Sequence, residues 1–236
     1  MSDWKPKRFW KEAKVVEAEQ GFVIALDARP VRTPAKAPLI VPTLALAEAI
    51  AAEWDAQAHD VDPATMPVTK GANAAIDKVR VQRDEVVALL AEYGDSDLLC
   101  YRATGPENLV ARQAAGWDPM LDWAANALGA RLFVGEGVMH VPQTERALGL
   151  LRAELARFDD FELAAVHDLV SISGSLVLAL AVTHAALGEE DAWRLSRIDE
   201  DWQIAQWGED EDAAISAESK RQAFVAAARF YRLTQR

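Results

Sequence analysis

Residues 13–34, AKVVEAEQGFVIALDARPVRTP, decide the fold class, because apolar and polar side chains alternate on both sides of a central Gln20-Gly21 pair. Alternation with a period of two around a glycine-bearing turn predicts a β-hairpin. Prolines close the stretch, and PLIVP at 38–42 predicts one more short strand. A small sheet therefore opens the chain.

Helical spacing of apolar residues begins directly after these strands. Thr43 is a suitable N-cap for the first predicted helix, TLALAEAIAAEWDAQA. Further predicted helices span 68–92, 96–103, 106–128, 143–158, 160–187, 189–207 and 211–234. Residues 131–142 interrupt them with short β-like character and two glycines. We expect an α+β fold, with a small α/β amino-terminal domain (1–95) followed by a larger, mostly helical carboxy-terminal domain (96–236).

The uncharged segment 169–187, LVSISGSLVLALAVTHAAL, is long enough for a membrane helix. It contains serines, a threonine and a histidine and lacks flanking basic clusters, so we expect a helix buried in a bundle and no direct membrane insertion. The amino terminus has neither the apolar core of a secretory signal nor the composition of a transit peptide. With one cysteine, Cys100, the chain suits a reducing compartment. We expect a cytoplasmic bacterial protein.

Composition and motifs exclude several functions. The formal net charge of −12 disfavours nucleic-acid binding, which needs clustered basic residues. No GxxxxGK[ST] or GxGxxG motif is present to cradle phosphates, so no nucleotide or other cofactor is expected. The SISGS stretch at 171–175 lacks the GxSxG frame of a serine nucleophile. No catalytic residue is predicted.

Metal chemistry remains the enzymatic alternative. His59-Asp60 and His167-Asp168 supply the His-Asp dipeptide that HD-type metal-dependent phosphohydrolases use together with further ligands. The other histidines are His140, in the irregular segment, and His184. No HExxH motif or Cys/His cluster accompanies them, so our primary interpretation has no metal ligands.

The acidic stretch IDEDWQIAQWGEDEDA, 198–213, belongs to the predicted helix 189–207 and its exit. Placement at 100° per residue gives one apolar, core-facing stripe, formed by Leu195, Ile198, Trp202 and Ala205. A second face joins aromatic, basic and acidic side chains: Trp193, Arg197, Glu200, Ile204 and Trp207. This second face either packs on the final helix or is presented to a partner, and the pattern alone leaves both open.

Eight stretches in order resemble the assembly chaperone family of the F-type ATP synthase, the family that binds the alpha subunit of the catalytic head. They are RFWKEAKV (8–15), LDARPVRTP (26–34), AEWDAQ (52–57), MPVTKGANAAID (66–77), YGDSDLLCYRA (93–103), QAAGWDP (113–119), GSLVLALAV (174–182) and AWRLSRIDEDWQIAQWGEDEDA (192–213). They cover nearly the whole chain.

This resemblance implies a non-catalytic, ATP-independent chaperone of two domains. It implies binding to the free alpha subunit, which is protected from aggregation until the beta subunit replaces the chaperone. The family's acidic segment matches Asp199, Glu200, Glu209 and Asp210. With the aromatic and basic side chains of the second face, the candidate partner-binding residues are Glu200, Asp199, Trp193, Arg197, Trp207, Glu209 and Asp210, and Glu200 is the first choice.

Overall fold

The computed structural model describes residues 7–235. The strands are β1 (Ala13–Ala18), β2 (Gly21–Leu26), β3 (Arg29–Pro30), β4 (Ile40–Val41), β5 (Tyr101–Arg102) and β6 (Gly135–Glu136). The α-helices are α1 (Leu44–Asp55), α2 (Pro67–Ala74), α3 (Arg83–Glu92), α4 (Glu107–Ala127), α5 (Glu145–Leu155), α6 (Asp160–Ser173), α7 (Leu176–Thr183), α8 (Glu189–Ser196), α9 (Ile198–Trp207) and α10 (Glu211–Thr234). The α+β class is confirmed.

The predicted hairpin forms between β1 and β2, which pair antiparallel with Ala13 opposite Leu26 and Ala18 opposite Gly21. Strands β3 and β4 both pair antiparallel with β2. A Cβ on Gly21 would lie 2.3 Å from the Val41 carbonyl oxygen, so the strand approach there requires glycine. Both the hairpin and the short strand at 38–42 are confirmed.

Helix α1 begins where its cap predicts, because the Thr43 hydroxyl accepts a hydrogen bond from the Leu46 backbone N–H. Its buried face presents Leu46, Ala47 and Ile50, each with 0% of its surface exposed. The Glu53 carboxylate accepts 2.7 Å hydrogen bonds from the backbone N–H groups of Val68 and Thr69 and thereby caps α2.

The apolar part of segment 169–187 is buried, as predicted, but it is divided between two helices, α6 and α7, and residues 184–186 are exposed. Leu176 to Ala181 are fully buried in α7. Gly174 adopts φ +73°, and the Ser175 hydroxyl caps α7 by accepting from Leu178 N–H at 3.0 Å. The prediction of one continuous helix was therefore wrong. Within residues 7–235, no helix is both long and apolar enough to cross a membrane.

The predicted helix at 96–103 was also wrong. Asp97 caps a single 3-10 turn, Leu98–Cys100, and the chain then enters β5, which pairs in parallel with β6. The Asp97 carboxylate also accepts from Ser175 Oγ at 2.8 Å and from Val177 N–H at 3.0 Å. These bonds to a distant segment hold the turn and prevent helix propagation.

The chain forms two compact units. The first includes residues up to Arg83, together with Asp160–Ala165 and the segment from Arg229 onward. The second comprises Asp84–Asp159 and Val166–Ala228. The boundary between domains at residues 95 and 96 stays a prediction. The acidic stretch lies in the second unit.

Candidate protein-binding surface

The predicted helix 189–207 is two helices, α8 and α9, which meet at Arg197 (φ −110°, ψ 9°). The indole N–H of Trp117 donates to the Leu195 carbonyl at 2.8 Å, which supplies that carbonyl with a partner outside the helix. A Cβ on Gly116 would lie 2.8 Å from Ile198 Cδ1, so this glycine lets α4 approach the junction closely. Contacts with α4 therefore position the start of α9.

The interruption changes the faces expected from a single helix. Ile198 is 5% exposed and belongs to the core, but Trp202 is only partly buried and Ala205 is exposed. Trp202 and Ala205 lie on the same side of α9 as Ile198, but Ile198 is the one buried residue of this helix, so the prediction that all three face the core was wrong.

Glu200 ends a chain of contacts that runs from the core to the surface. Trp193 is 8% exposed and packs on the fully buried Phe224 of α10, with ring centroids 6.2 Å apart. The Arg197 guanidinium lies 5.6 Å from the Trp193 ring centroid, and its Nη1 is 3.5 Å from a Glu200 carboxylate oxygen. The buried members thus orient Glu200, whose side chain is half exposed.

Trp207, the last residue of α9, is 79% exposed. Gly208 follows with φ +90°, a conformation that suits glycine and ends the helix. The exposed Glu209 and Asp210 come next, and the Asp210 carboxylate accepts from Ala213 N–H at 2.9 Å near the start of α10. Asp210 thus supports the helix start as well as contributing negative charge.

A groove of about 670 Å³ collects six of the seven candidate residues, and we call it the acidic groove. The six are Trp193, Arg197, Glu200, Trp207, Glu209 and Asp210. The seventh, Asp199, lines a different groove beside α9. Its Oδ1 accepts a 2.6 Å hydrogen bond from Nε2 of Gln113, a residue 1% exposed. The arrangement offers one exposed aromatic ring within an acidic rim.

The histidines do not gather into a metal site in the described part of the chain. His59 and His167 each contact the carboxylate of the next residue, at 3.2 and 3.1 Å. His184 lies 3.0 Å from Glu154 and edge-on to the Trp123 ring. Across residues 7–235, no three His, Cys, Asp or Glu side chains form a group that could hold a metal ion. The HD-type alternative therefore has no assembled ligand set in that range.

Residues 7–125, half of the chain, match the family model described as ATP12 chaperone protein. The chain belongs to the ATP12 chaperone protein family. The resemblance to an ATP synthase assembly chaperone family is thus confirmed.

Individual proteins match this chain over longer stretches. The crystal structure of Atp12 from Paracoccus denitrificans is 49% identical, covers 99% of this chain and 100% of its own, and has a TM-score of 0.96. Atu1473 from Agrobacterium tumefaciens is 44% identical over 98% of this chain and 87% of its own, with a TM-score of 0.94. Protein atp12, mitochondrial, from Schizosaccharomyces pombe is 27% identical over 219 residues, which are 88% of this chain and 75% of the yeast protein.

Sequence reasoning missed the groove that contains Asp199, which Gly137 and Val138 of the segment 133–141 help to line. Val138 and Met139 are 95% and 77% exposed there. The signal was present in RLFVGEGVMHVP, where large apolar residues flank glycines in a segment too short to build a sheet of its own. Tertiary contacts determine where these residues are exposed, so the sequence alone did not show the groove.

Proposed function

We propose that this protein binds the free alpha subunit of the F-type ATP synthase catalytic head and prevents its aggregation until the beta subunit replaces it. Membership in the ATP12 chaperone family supports the assembly role. The contact surface is proposed from the acidic groove, where Trp207 is 79% exposed within a rim of carboxylates. Aromatic anchors inside a polar rim are typical of protein interfaces.

The proposed action needs neither ATP nor catalysis. A subunit interface that has not yet found its partner exposes a large apolar patch, and reversible coverage of that patch blocks self-association. The beta subunit then displaces the chaperone by competing for the same surface. Binding energy alone drives both steps, in agreement with the absence of a phosphate-cradling motif from the sequence.

The seven candidate residues have different parts in this proposal. Glu200 and Trp207 contact the partner, and Glu209 adds to the acidic rim. Trp193 holds Arg197 through a cation–π contact, and Arg197 holds Glu200 through an ion pair. Asp210 supports the start of α10, and Asp199 acts from the other groove. The partner surface is expected to carry basic residues, since electrostatic complementarity guides association.

Two further expectations remain part of the proposal. Assembly of a bacterial ATP synthase head places the protein in the cytoplasm. The division into a small α/β domain at 1–95 and a helical domain at 96–236 assigns partner contact to the second domain.

Light scattering by purified alpha subunit tests the proposal. We expect one equivalent of this protein to suppress aggregation equally with and without ATP, and added beta subunit to release it. The Trp207→Ala variant should lose most of the protection, whereas Val81→Ala, which removes a 73% exposed apolar side chain elsewhere, should retain it. An undiminished aggregation rate with the wild-type protein, or a requirement for ATP, would contradict the proposal.

A further inference from the structure

Residues 133–141 form a projecting loop, called the finger, whose base is closed by one buried side chain. Gln143 is 8% exposed. Its Oε1 accepts from Phe133 N–H at 2.7 Å and its Nε2 donates to the Phe133 carbonyl at 2.9 Å. The Gln143 backbone N–H donates to Asp95 Oδ1 at 3.0 Å. Because an amide side chain satisfies both backbone groups of Phe133, the base is fixed in one geometry.

Contacts on either side of the tip also restrain the finger. Gly137 N–H donates to the Arg102 carbonyl at 2.8 Å, next to the parallel pairing of β5 with β6. Beyond the tip, His140 lies 3.2 Å from the Tyr101 hydroxyl and 3.3 Å from an Asp95 carboxylate oxygen. The finger is therefore preorganised in the absence of a partner.

The tip of this restrained loop presents apolar surface to solvent. Val138 is 95% exposed and Met139 is 77% exposed. Apolar side chains exposed side by side on a restrained loop are available for contact with another molecule. Methionine suits such a contact because its flexible thioether adapts to varied surfaces.

The finger forms one wall of a groove of about 640 Å³, and α9 forms another. Its large apolar side chains include those of Val138, Trp202 and Trp207. Gln203 and Gln206 also line it, and each amide can both donate and accept hydrogen bonds, as an extended backbone requires. We call this the finger groove. It shares Gln203 and Trp207 with the acidic groove.

The charge of the finger groove favours a cationic ligand. Gln113 engages Oδ1 of Asp199, while no hydrogen bond or ion pair occupies Oδ2 among the described residues. Arg102, which also lines the groove, is 7% exposed and binds Asp118 at 2.7 Å. Its charge is thus already neutralised, and the carboxylate of Asp199 determines the sign of the groove.

We propose that the finger groove binds an extended polypeptide segment, with an aliphatic or aromatic side chain between the finger tip and the α9 tryptophans and a lysine or arginine at Asp199. The amide side chains of Gln203 and Gln206 suit an extended chain, whose backbone groups need partners, whereas a helix satisfies its own backbone groups. That this segment belongs to the alpha subunit rests on the proposed function; the chemistry of the segment does not.

Fluorescence anisotropy with three labelled peptides tests this proposal on the full-length protein. The probe is Gly-Ser-Lys-Leu-Phe-Thr-Ser-Gly, and its two counterparts carry Glu in place of Lys, or Ser in place of both Leu and Phe. We expect the Lys-Leu-Phe peptide to bind at least about tenfold more tightly than either counterpart, because each counterpart lacks one half of the recognition.

Two variants and one control locate the site. The double variant Val138→Ser, Met139→Ser should weaken the Lys-Leu-Phe peptide about tenfold or more. Asp199→Asn keeps an acceptor for Gln113 but removes the charge, so it should abolish the preference for Lys over Glu. The control Val81→Ser, Leu89→Ser removes exposed apolar side chains elsewhere and should bind the peptide as the wild-type protein does. Unfolding curves of each variant confirm that the fold persists.

Equal binding of all three peptides, or unchanged binding by the finger variant, would overturn the inference. So would a concentration-dependent dimer that disappears in the finger variant, because the groove would then bind a second copy of this chain. Capture of alpha subunit by the wild-type protein and by Glu200→Lys is measured alongside peptide binding. If the wild-type protein binds the peptide and fails to capture alpha subunit, the proposed function fails and the groove assignment stands. If it captures alpha subunit normally but binds the three peptides equally, the groove assignment fails and the proposed function stands.

Discussion

Truncation of the two tryptophans of the acidic groove should affect different properties: stability for Trp193 and partner binding for Trp207. Trp193 is 8% exposed and contacts both Phe224 and the Arg197 guanidinium. Replacement by alanine leaves a cavity and should lower the free energy of unfolding by about 3–5 kcal/mol. For a chain of this size, that loss corresponds to a melting temperature lower by roughly 6–20 °C. Trp207 is 79% exposed, so Trp207→Ala should change the free energy of unfolding by no more than about 0.5 kcal/mol.

At a temperature where both variants are folded, Trp207→Ala should weaken alpha-subunit binding more than Trp193→Ala does. An aromatic anchor at the centre of an interface contributes about 2 kcal/mol or more, so Trp207→Ala should weaken alpha-subunit binding about 30-fold. Differential scanning calorimetry and titration calorimetry on the same protein samples give both quantities. A marked loss of melting temperature in Trp207→Ala, or an unchanged melting temperature in Trp193→Ala, would refute the assignment of one tryptophan to the surface and the other to the core.

The remaining predictions concern pH and salt. Burial raises the pKa of the Asp97 carboxyl from 3.8 to about 6, so the folded state holds this proton more tightly than the unfolded state. Its contribution to the free energy of unfolding should therefore decrease as pH rises from about 4 to 6, by on the order of 3 kcal/mol, and Asp97→Asn should lack this component in denaturant titrations at several pH values. A carboxyl NMR titration of Asp97 with a midpoint near 4 would contradict the predicted pH dependence. The association rate with alpha subunit should fall as salt rises from about 50 to 500 mM, because an acidic surface steers a basic partner. A stopped-flow rate that is flat over this range would leave the net charge of −12 without a role in binding.

Features that depend on local sequence were predictable. The hairpin follows from alternation around Gly21, and α1 begins at its Thr43 cap. The burial of α7 follows from an apolar run that carries no charge. Each of these signals acts within a few residues, so no tertiary contact was needed to interpret it.

Interruptions of helices were not predictable, because distant partners cause them. The break at Arg197 has no glycine or proline, and its partner for the Leu195 carbonyl is the indole of Trp117, which is distant in sequence. The turn at 98–100 is likewise held by Asp97 through Ser175 and Val177. Gly174 was a visible signal for a helix break, although a glycine inside an apolar run also occurs where helices pack closely.

The candidate site was predicted in composition and only partly in arrangement. Six of the seven residues line one groove, but helical angles alone left Trp193 and Trp207 equivalent. The structure separates them, because the break at Arg197 directs Trp193 onto Phe224 and Gly208 leaves Trp207 at an exposed helix end. Asp199 turned out to line the finger groove, since Gln113 of α4 holds it on that side.

Charge reversal at Glu200 tests whether the acidic groove binds the alpha subunit. The Glu200 side chain is about half exposed and its ion pair with Arg197 is 3.5 Å long, so Glu200→Lys should alter the free energy of unfolding by no more than about 1 kcal/mol. The measurement is capture of purified alpha subunit by immobilised wild-type protein, by Glu200→Lys, and by Glu48→Lys, which reverses an exposed carboxylate on α1. We expect strong capture by the wild-type protein and by Glu48→Lys, and a loss of about 30-fold or more for Glu200→Lys through lost attraction and added repulsion. Equal capture by all three folded proteins would show that the acidic groove does not bind the alpha subunit.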